Sequence, residues 1–151
     1  MSCAWLPVRS MGWRSSSHAR YDCKYHLVWC PKRRKRIGEA EVREWIAETM
    51  RRAAEEYDIE IEELAVDEDH LHALVSFPPR YSVARVVGIL KSLSASRTFR
   101  RFAWLRERFW SGEMWEDGYA VRTVGDKVTT ELVQRYIRRH EEEATNQPEL
   151  F

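Results

Sequence analysis

Apolar residues recur along this chain with two different periods, and these periods predict strands and helices in alternation. Four stretches rich in aromatic and β-branched residues, bounded by turn residues, predict strands. Three stretches in which apolar residues recur every three or four positions predict helices. In chain order the predicted elements are a strand at 21–30, a helix at 39–57, strands at 59–66 and 70–77, a helix at 82–99, a strand at 119–124 and a helix at 128–143.

The order of these elements predicts one α+β domain. A β-α-β-β-α-β succession is typical of the ferredoxin-like, split βαβ arrangement, with a central antiparallel sheet and here an added C-terminal helix. The polar residues 67–69 predict a hairpin between the second and third strands. We expect the domain to span residues 19–145, between a flexible N-terminal extension (1–18) and a flexible tail (146–151). A chain of 151 residues is long enough for such a domain to bury a core.

The third predicted strand carries two histidines at alternate positions. Successive side chains in a strand point to opposite faces, so His70 and His72 share one face at a spacing of roughly 7 Å along the chain. Leu71, Ala73 and Val75 then face a core on the other side. Two neighbouring imidazoles favour a metal ion, but two ligands do not complete a site, so a third must come from elsewhere.

The last predicted helix offers a third ligand and a nucleophile. Tyr136 and His140 are four residues apart and therefore lie on one face of the helix. If that face covers the histidine strand, His140 becomes the third metal ligand and Tyr136 is held beside the metal. The same spacing also suits an ordinary amphipathic helix with Tyr136 packed and His140 at its rim.

Charge is balanced overall but segregated along the chain. The 25 basic and 24 acidic residues give a net charge of +1, which argues against a uniformly basic protein that coats DNA. Basic runs at 32–36 and 97–108 could be simple solvated faces. The second run, however, alternates Arg with aromatic residues, a composition that suits single-stranded nucleic acid. The candidate DNA contacts are Lys91, Arg100 and Arg101.

Two further features of the composition bear on localisation. The three cysteines have no disulfide-type spacing, and Cys23 and Cys30 cannot converge with His26 on one zinc ion if they share a strand, so we expect the cysteines to be core residues. No apolar run is long enough to span a bilayer or to serve as a signal peptide, so we expect a cytoplasmic protein with no membrane partner.

Several segments, taken together and in order, resemble a known family. They are residues 25–32 (YHLVWCPK), 66–72 (VDEDHLH), 81–92 (YSVARVVGILKS), 118–125 (GYAVRTVG) and 136–139 (YIRR). Over about residues 21–143 the chain resembles the single-tyrosine HUH transposases of the insertion sequence 200/605 group.

This resemblance implies an activity and a set of roles. Enzymes of this family are small dimers that cut and rejoin single-stranded DNA at the hairpin ends of a mobile element, without a nucleotide cofactor. His70 and His72 would hold a divalent ion that polarises the scissile phosphate. Tyr136 would attack that phosphate, giving a 5′-phosphotyrosine and a free 3′-hydroxyl. The tyrosine helix can be donated to the partner subunit, so each site can be composite.

One departure from the family pattern concerns the metal. The family commonly has Gln four residues after the tyrosine, where this chain has His140. We expect Mg²⁺ or Mn²⁺, with Zn²⁺ as the alternative that a third histidine opens. Asp69 is expected to be a turn or ligand-orienting residue. Three other functions stay open: a hairpin-binding regulator that does not cut DNA, a zinc hydrolase, and a purely structural dimerisation domain.

Overall fold

The computed structural model describes residues 13–125 and 127–142, and in the last helix it describes the side chains of residues 131–139. The described chain forms six strands, four α-helices and a short 3-10 helix at Lys32–Arg34. The strands are β1 (Arg14–Ser15), β2 (Arg20–Tyr21), β3 (Lys24–Trp29), β4 (Glu60–Val66), β5 (Leu71–Ser76) and β6 (Ala120–Val124). The helices are α1 (Ala40–Glu56), α2 (Val83–Arg101), α3 (Ala103–Arg108) and α4 (Lys127–Glu142).

Four of the strands form the central sheet in the order β4-β5-β3-β6, and every neighbouring pair is antiparallel. Because β3 and β4 both run antiparallel to β5, they are parallel to each other, with β5 inserted between them. Helix α1 makes the crossover that joins β3 to β4. This is the split βαβ arrangement, and it confirms the predicted fold class.

One face of the sheet, which we call the packed face, is covered by α1 and α2 and holds most of the core. The Ser82 hydroxyl caps α2 by accepting a hydrogen bond from the backbone N–H of Arg85 at 3.0 Å, as its position before the helix predicts. The strand residues on the packed face are almost completely shielded from solvent. They include Leu27, Trp29, Leu71, Ala73 and Val75.

The opposite face of the sheet, which we call the histidine face, is covered by α4. Ile137 of α4 is fully buried in a small apolar cluster with residues of β4, β5 and β6. The guanidinium of Arg138 donates a 2.5 Å hydrogen bond to the carboxylate of Glu63 on β4. Helix α4 therefore packs on the sheet of its own chain. The cluster around Ile137 consists of Ala65, Leu74, Val124 and the half-buried Val133.

Some predictions need correction. Arg14–Ser15 pairs with Arg20–Tyr21 as a small hairpin, so regular structure begins inside the segment predicted as a flexible extension, and Tyr21 belongs to β2 rather than to the long strand. Cys30 is buried as predicted, but Cys23 is exposed and is not a core residue. Residues 1–12 and the predicted tail 146–151 lie outside the described residues. Within the part of the chain that the structure describes, no helix is long and apolar enough to cross a membrane.

Candidate metal and tyrosine site

The turn between β4 and β5 brings an aspartate next to the two histidines. The turn is closed by a hydrogen bond of 2.9 Å from the backbone N–H of Asp67 to the carbonyl of His70. This places Asp67 beside His70, while His72 follows one step into β5 on the same face. One ligand atom from each of these three residues lies within 4.8 Å of the others, and all three side chains are buried.

Two carboxylates lie at hydrogen-bonding distance from the imidazole of His70. Oδ1 of Asp69 is 2.7 Å from Nδ1, and Oδ2 of Asp67 is 3.1 Å from Nε2. A carboxylate accepts hydrogen bonds, so the tautomer of His70 with its proton on Nδ1 donates to Asp69 and leaves Nε2 facing Asp67. Burial lowers the pKa of His70, but the polar contacts and negative charges of Asp67 and Asp69 outweigh burial, and the net pKa lies above its ordinary value.

This donor set fits a divalent cation. Two imidazole nitrogens and one carboxylate oxygen converge, and Asp69 supports His70 from behind, as carboxylates commonly support metal-ligating histidines. The predicted role of Asp69 as an orienting residue agrees with this contact. Asp67 is a candidate donor that the sequence pattern did not single out, since residues 67–69 predicted only a polar turn. The sequence does contain a signal for this contact, because Asp67 stands three residues before His70, and a tight turn between two such residues brings them side by side.

His140, the predicted third ligand, lies in α4, but its side chain is outside the described residues. Its role as a ligand stays a prediction. Within the described side chains, Asp67 provides the third donor beside His70 and His72.

Tyr136 lies over the two strands at the centre of the histidine face. Its ring centroid is 5.8 Å from that of His72 and 6.3 Å from that of His26, and it meets both rings edge-on. The residue is 38% exposed, so Tyr136 is not a packed core residue of an amphipathic helix. The next residue, Ile137, is the one that is buried, and its burial sets the rotation of α4 that leaves Tyr136 beside His72.

A cavity of about 500 Å³ opens beside the tyrosine ring, between β6 and the first half of α4. Among the described residues its wall is mainly apolar, with Arg122 as the charged residue and with His26 and Tyr136 at the histidine side. Tyr136 is therefore reachable from solvent by a large ligand. The remaining wall residues are Val28, Ala120, Val121, Thr123, Leu132 and Val133.

The three predicted DNA contacts lie away from the tyrosine. Lys91 is half-buried and donates from Nζ to the carbonyls of Glu116 at 2.8 Å and Gly118 at 2.7 Å, so it fixes the loop before β6 instead of reaching outward. Burial also lowers the pKa of Lys91. Arg100 and Arg101 are exposed at the end of α2, which packs on the opposite side of the sheet from Tyr136.

The aromatic residues of the basic run 97–108 and of the two positions after it form two groups in the fold. Phe99, Phe102 and Phe109 are buried core residues, so they offer no surface on which a base could stack. Trp104 and Trp110 are exposed at 49% and 67%, and an arginine lies over each ring. Only the two tryptophans keep the geometry of a stacking surface.

Known transposases are similar in sequence to most of this chain. Residues 19–140 match the family described as transposase IS200 like. The chain is 35% identical over 130 residues to the transposase for insertion sequence element IS200 of Salmonella typhimurium, covering 86% of this chain and 84% of that relative. It is 33% identical over 124 residues to the ISDra2 transposase TnpA of Deinococcus radiodurans, covering 82% of this chain and 88% of the relative.

Solved structures agree with these sequence relatives. A crystal structure from Deinococcus radiodurans, of a protein assigned as a transposase, superposes with a TM-score of 0.68 at 30% identity, covering 83% of this chain and 96% of the other. A REP-associated tyrosine transposase bound to a REP hairpin superposes with a TM-score of 0.62, covering 87% and 75% of the two chains. At 10% identity that second likeness concerns the fold alone. From the family match and the curated relatives, this chain belongs to the IS200-like transposase family.

Proposed function

We propose that this protein is a metal-dependent transposase that cleaves and rejoins single-stranded DNA at insertion-sequence ends through a 5′-phosphotyrosine on Tyr136. The single observation that supports the proposal most is the position of the Tyr136 ring, 5.8 Å from the His72 ring, in a chain of this family. A partly exposed phenol beside a buried Asp-His-His donor set suits nucleophilic attack on a phosphodiester.

The donor set has a defined part in this proposal. Asp67, His70 and His72 would hold a divalent cation, which supplies positive charge for the non-bridging oxygens of the scissile phosphate. Asp69 keeps His70 in the tautomer whose Nε2 faces the donor set. The carboxylate oxygen among the donors suits Mg²⁺ or Mn²⁺, and the two imidazoles also suit Zn²⁺.

The chemical step exchanges one ester oxygen on phosphorus for another, so the phosphate remains a diester. The Tyr136 oxygen forms a bond to phosphorus and loses its proton to solvent, while the bond from phosphorus to the 3′ oxygen breaks and that oxygen takes up a proton. The products are a 5′-phosphotyrosine and a free 3′-hydroxyl. In the joining step a 3′-hydroxyl loses its proton to solvent as its oxygen attacks the same phosphorus, and the Tyr136 oxygen leaves and takes up a proton.

The DNA substrate would approach from the cavity beside Tyr136. Among the described residues, Arg122 in the cavity wall and the exposed Arg135 next to the tyrosine are two cations that could meet the backbone of a single strand on this side of the sheet. A hairpin end is the proposed target, because a solved structure of similar fold is that of a tyrosine transposase bound to a REP hairpin. Arg100 and Arg101, on the other side of the sheet, could contact only a more distant part of the DNA.

We also propose that the protein works as a homodimer. Strand β6 is an edge of the central sheet, and Val121 on it is 47% exposed. The unpaired backbone N–H and C=O groups of an edge strand can pair with a strand of another chain. In the described chain α4 packs on its own sheet, so a dimer would keep each tyrosine with the histidines of the same subunit unless α4 exchanges. Light scattering coupled to gel filtration measures the dimer, and a monomer at micromolar concentration would contradict it.

A labelled-oligonucleotide assay tests the central claim. Single-stranded oligonucleotides from the DNA flanking the encoding gene, incubated with Mn²⁺ or Mg²⁺, should give a protein–DNA adduct that resists denaturing electrophoresis. The adduct should carry a 3′ label and not a 5′ label, because the tyrosine keeps the 5′ phosphate. Tyr136→Phe should reduce the adduct by more than about 10³-fold while leaving DNA binding intact. Tyr57→Phe, at the end of α1, is the matched control and should leave the adduct unchanged.

The other outcomes identify the competing functions. Cleavage that survives Tyr136→Phe and is lost with His72→Ala would indicate a metal hydrolase that uses activated water. Hairpin binding with no cleavage in any metal would indicate a regulator. No metal uptake would indicate a structural domain, and an undiminished adduct in Tyr136→Phe would refute the assignment of the nucleophile.

A further inference from the structure

His26 is a third histidine on the histidine face, and the proposed reaction does not use it. It lies on β3, where it pairs directly with Leu74 of β5. His72 pairs with Val28, which is the next residue of β3 on the histidine face after His26. His26 and His72 are therefore diagonal neighbours on that face. Side chains of this length can meet across such a diagonal. The strand register alone therefore brings the two imidazoles together.

The two rings are in contact through one specific pair of atoms. Nε2 of His26 lies 3.0 Å from Nδ1 of His72, and the rings are nearly parallel, with centroids 5.3 Å apart. At this distance one of the two nitrogens carries the shared proton and the other accepts it. Because Nδ1 of His72 is engaged with His26, Nε2 is the atom of His72 that is left to face Asp67 and His70.

We propose that His26 is a positioning residue that accepts the Nδ1 proton of His72 and so holds the Nε2 lone pair of His72 toward the cation; this inference rests on the proposed metal site. The opposite arrangement, with His26 donating, would place the proton of neutral His72 on Nε2 and block it as a ligand. Metal-ligating histidines usually donate their second ring N–H to an acceptor, and here a neutral imidazole takes that role.

The arrangement makes the two histidine ligands unequal. His70 donates to the charged carboxylate of Asp69, whereas His72 donates to an uncharged ring. A charged acceptor increases the electron density on the ligand more than a neutral one does. His26 also lies in the wall of the cavity beside Tyr136. It therefore borders the space into which DNA would enter.

Two substitutions separate the hydrogen bond from ring packing. His26→Phe keeps an aromatic ring against His72 but removes the acceptor. His26→Gln removes the ring but can place its amide oxygen near the former Nε2 position. Mn²⁺ titrations of the otherwise intact protein, without DNA, should show about a 10- to 100-fold weaker affinity for His26→Phe and recovery of most of that loss in His26→Gln. Equal affinity in wild type and His26→Phe would overturn the inference.

Nitrogen NMR of the imidazoles provides a second measurement that needs neither activity nor a variant. In the metal-free wild type the spectrum should show His72 protonated on Nδ1 and His26 protonated on its own Nδ1, with Nε2 of both rings unprotonated. A spectrum with neutral His72 protonated on Nε2 would contradict the inference. This measurement also stands if His26→Phe does not fold.

A parallel titration of His72→Ala keeps the failure of this inference apart from the failure of the proposed function. If His72→Ala loses Mn²⁺ binding and His26→Phe keeps it, the metal site stands and only the role of His26 is wrong. If His72→Ala binds Mn²⁺ as well as wild type does, the proposed metal site itself is wrong. Circular dichroism serves as the control, and it should show that His26→Phe is folded under the conditions of the titration.

Discussion

The two faces of the central sheet are built from the same strands but serve different purposes. The packed face is apolar and sealed by two long helices, and its strand residues Leu27, Leu71 and Ala73 are fully buried. The histidine face carries only a small apolar cluster around Ile137, and one terminal helix covers it. Successive residues of a strand point to opposite faces of the sheet. His72 therefore lies between two residues, Leu71 and Ala73, whose side chains point into the main core.

The comparison indicates how the chain combines stability with reactivity. Burial of apolar side chains on the packed face holds the strands in register, and that register fixes where His26 and His72 stand on the other side. The histidine face contributes less apolar burial, which leaves room for polar side chains, a cavity and a partly exposed tyrosine. Substitutions on the packed face should therefore affect stability first, and substitutions on the histidine face should affect chemistry first.

The largest stability effect is expected from Leu27→Ala, on the packed face next to His26. Leu27 is fully buried, and truncation of such a residue leaves a cavity that costs about 2–5 kcal/mol. Urea unfolding measures the loss. At a temperature where the variant is still folded, Mn²⁺ affinity should stay within a few-fold of wild type. A loss of metal affinity as large as that of His72→Ala would contradict the division between the faces.

A smaller and more local effect is expected from Ile137→Ala, in the centre of α4. Ile137 is the fully buried anchor of the helix on the histidine face, and neither Tyr136 nor the donor set is altered. Hydrogen exchange should become faster in α4 while β3 and β5 keep their protection. The rate of adduct formation should fall, because the tyrosine is held less firmly, whereas Mn²⁺ affinity should not change. Faster exchange throughout the sheet would show that α4 is part of the main cooperative unit.

The smallest effect is expected from an ion pair beside the packed face. Arg108 donates two hydrogen bonds, of 2.8 and 2.6 Å, to the carboxylate of Glu39, just before α1. This pairing lowers the pKa of Glu39 from 4.5 to about 2. A depressed carboxyl pKa stabilises the fold above pH 4.5, and the contribution is lost as the pH falls toward 2.

Acid unfolding of Glu39→Gln tests this contribution. The variant should be slightly less stable than wild type at neutral pH, and the difference should shrink between pH 4.5 and 2. Adduct formation at neutral pH should not change, since the pair lies away from the histidine face. A stability difference that is constant through this pH range would contradict the role of the ion pair.

Sequence patterns predicted most elements because the patterns are local. The spacing of apolar residues in α1 and the cap at Ser82 reflect interactions within one turn of helix, and the observed helices begin and end close to the predicted limits. The alternation around His72 predicted its face correctly, since side-chain direction in a strand needs no knowledge of the partner strand. The short hairpin at Arg14–Ser15 was missed because two residues carry no period.

What the sequence could not determine was which distant residues meet. His26 reaches His72 only because β3 and β5 pair in one register, and Tyr136 meets them only because burial of Ile137 sets the rotation of α4. The exposure of an aromatic ring also depends on the complete fold, which is why Phe99 is buried while Trp110 is not. Local periodicity thus determined the elements and the face of each residue. Contacts across the sheet, which depend on the packing of the whole chain, were decided by the tertiary structure.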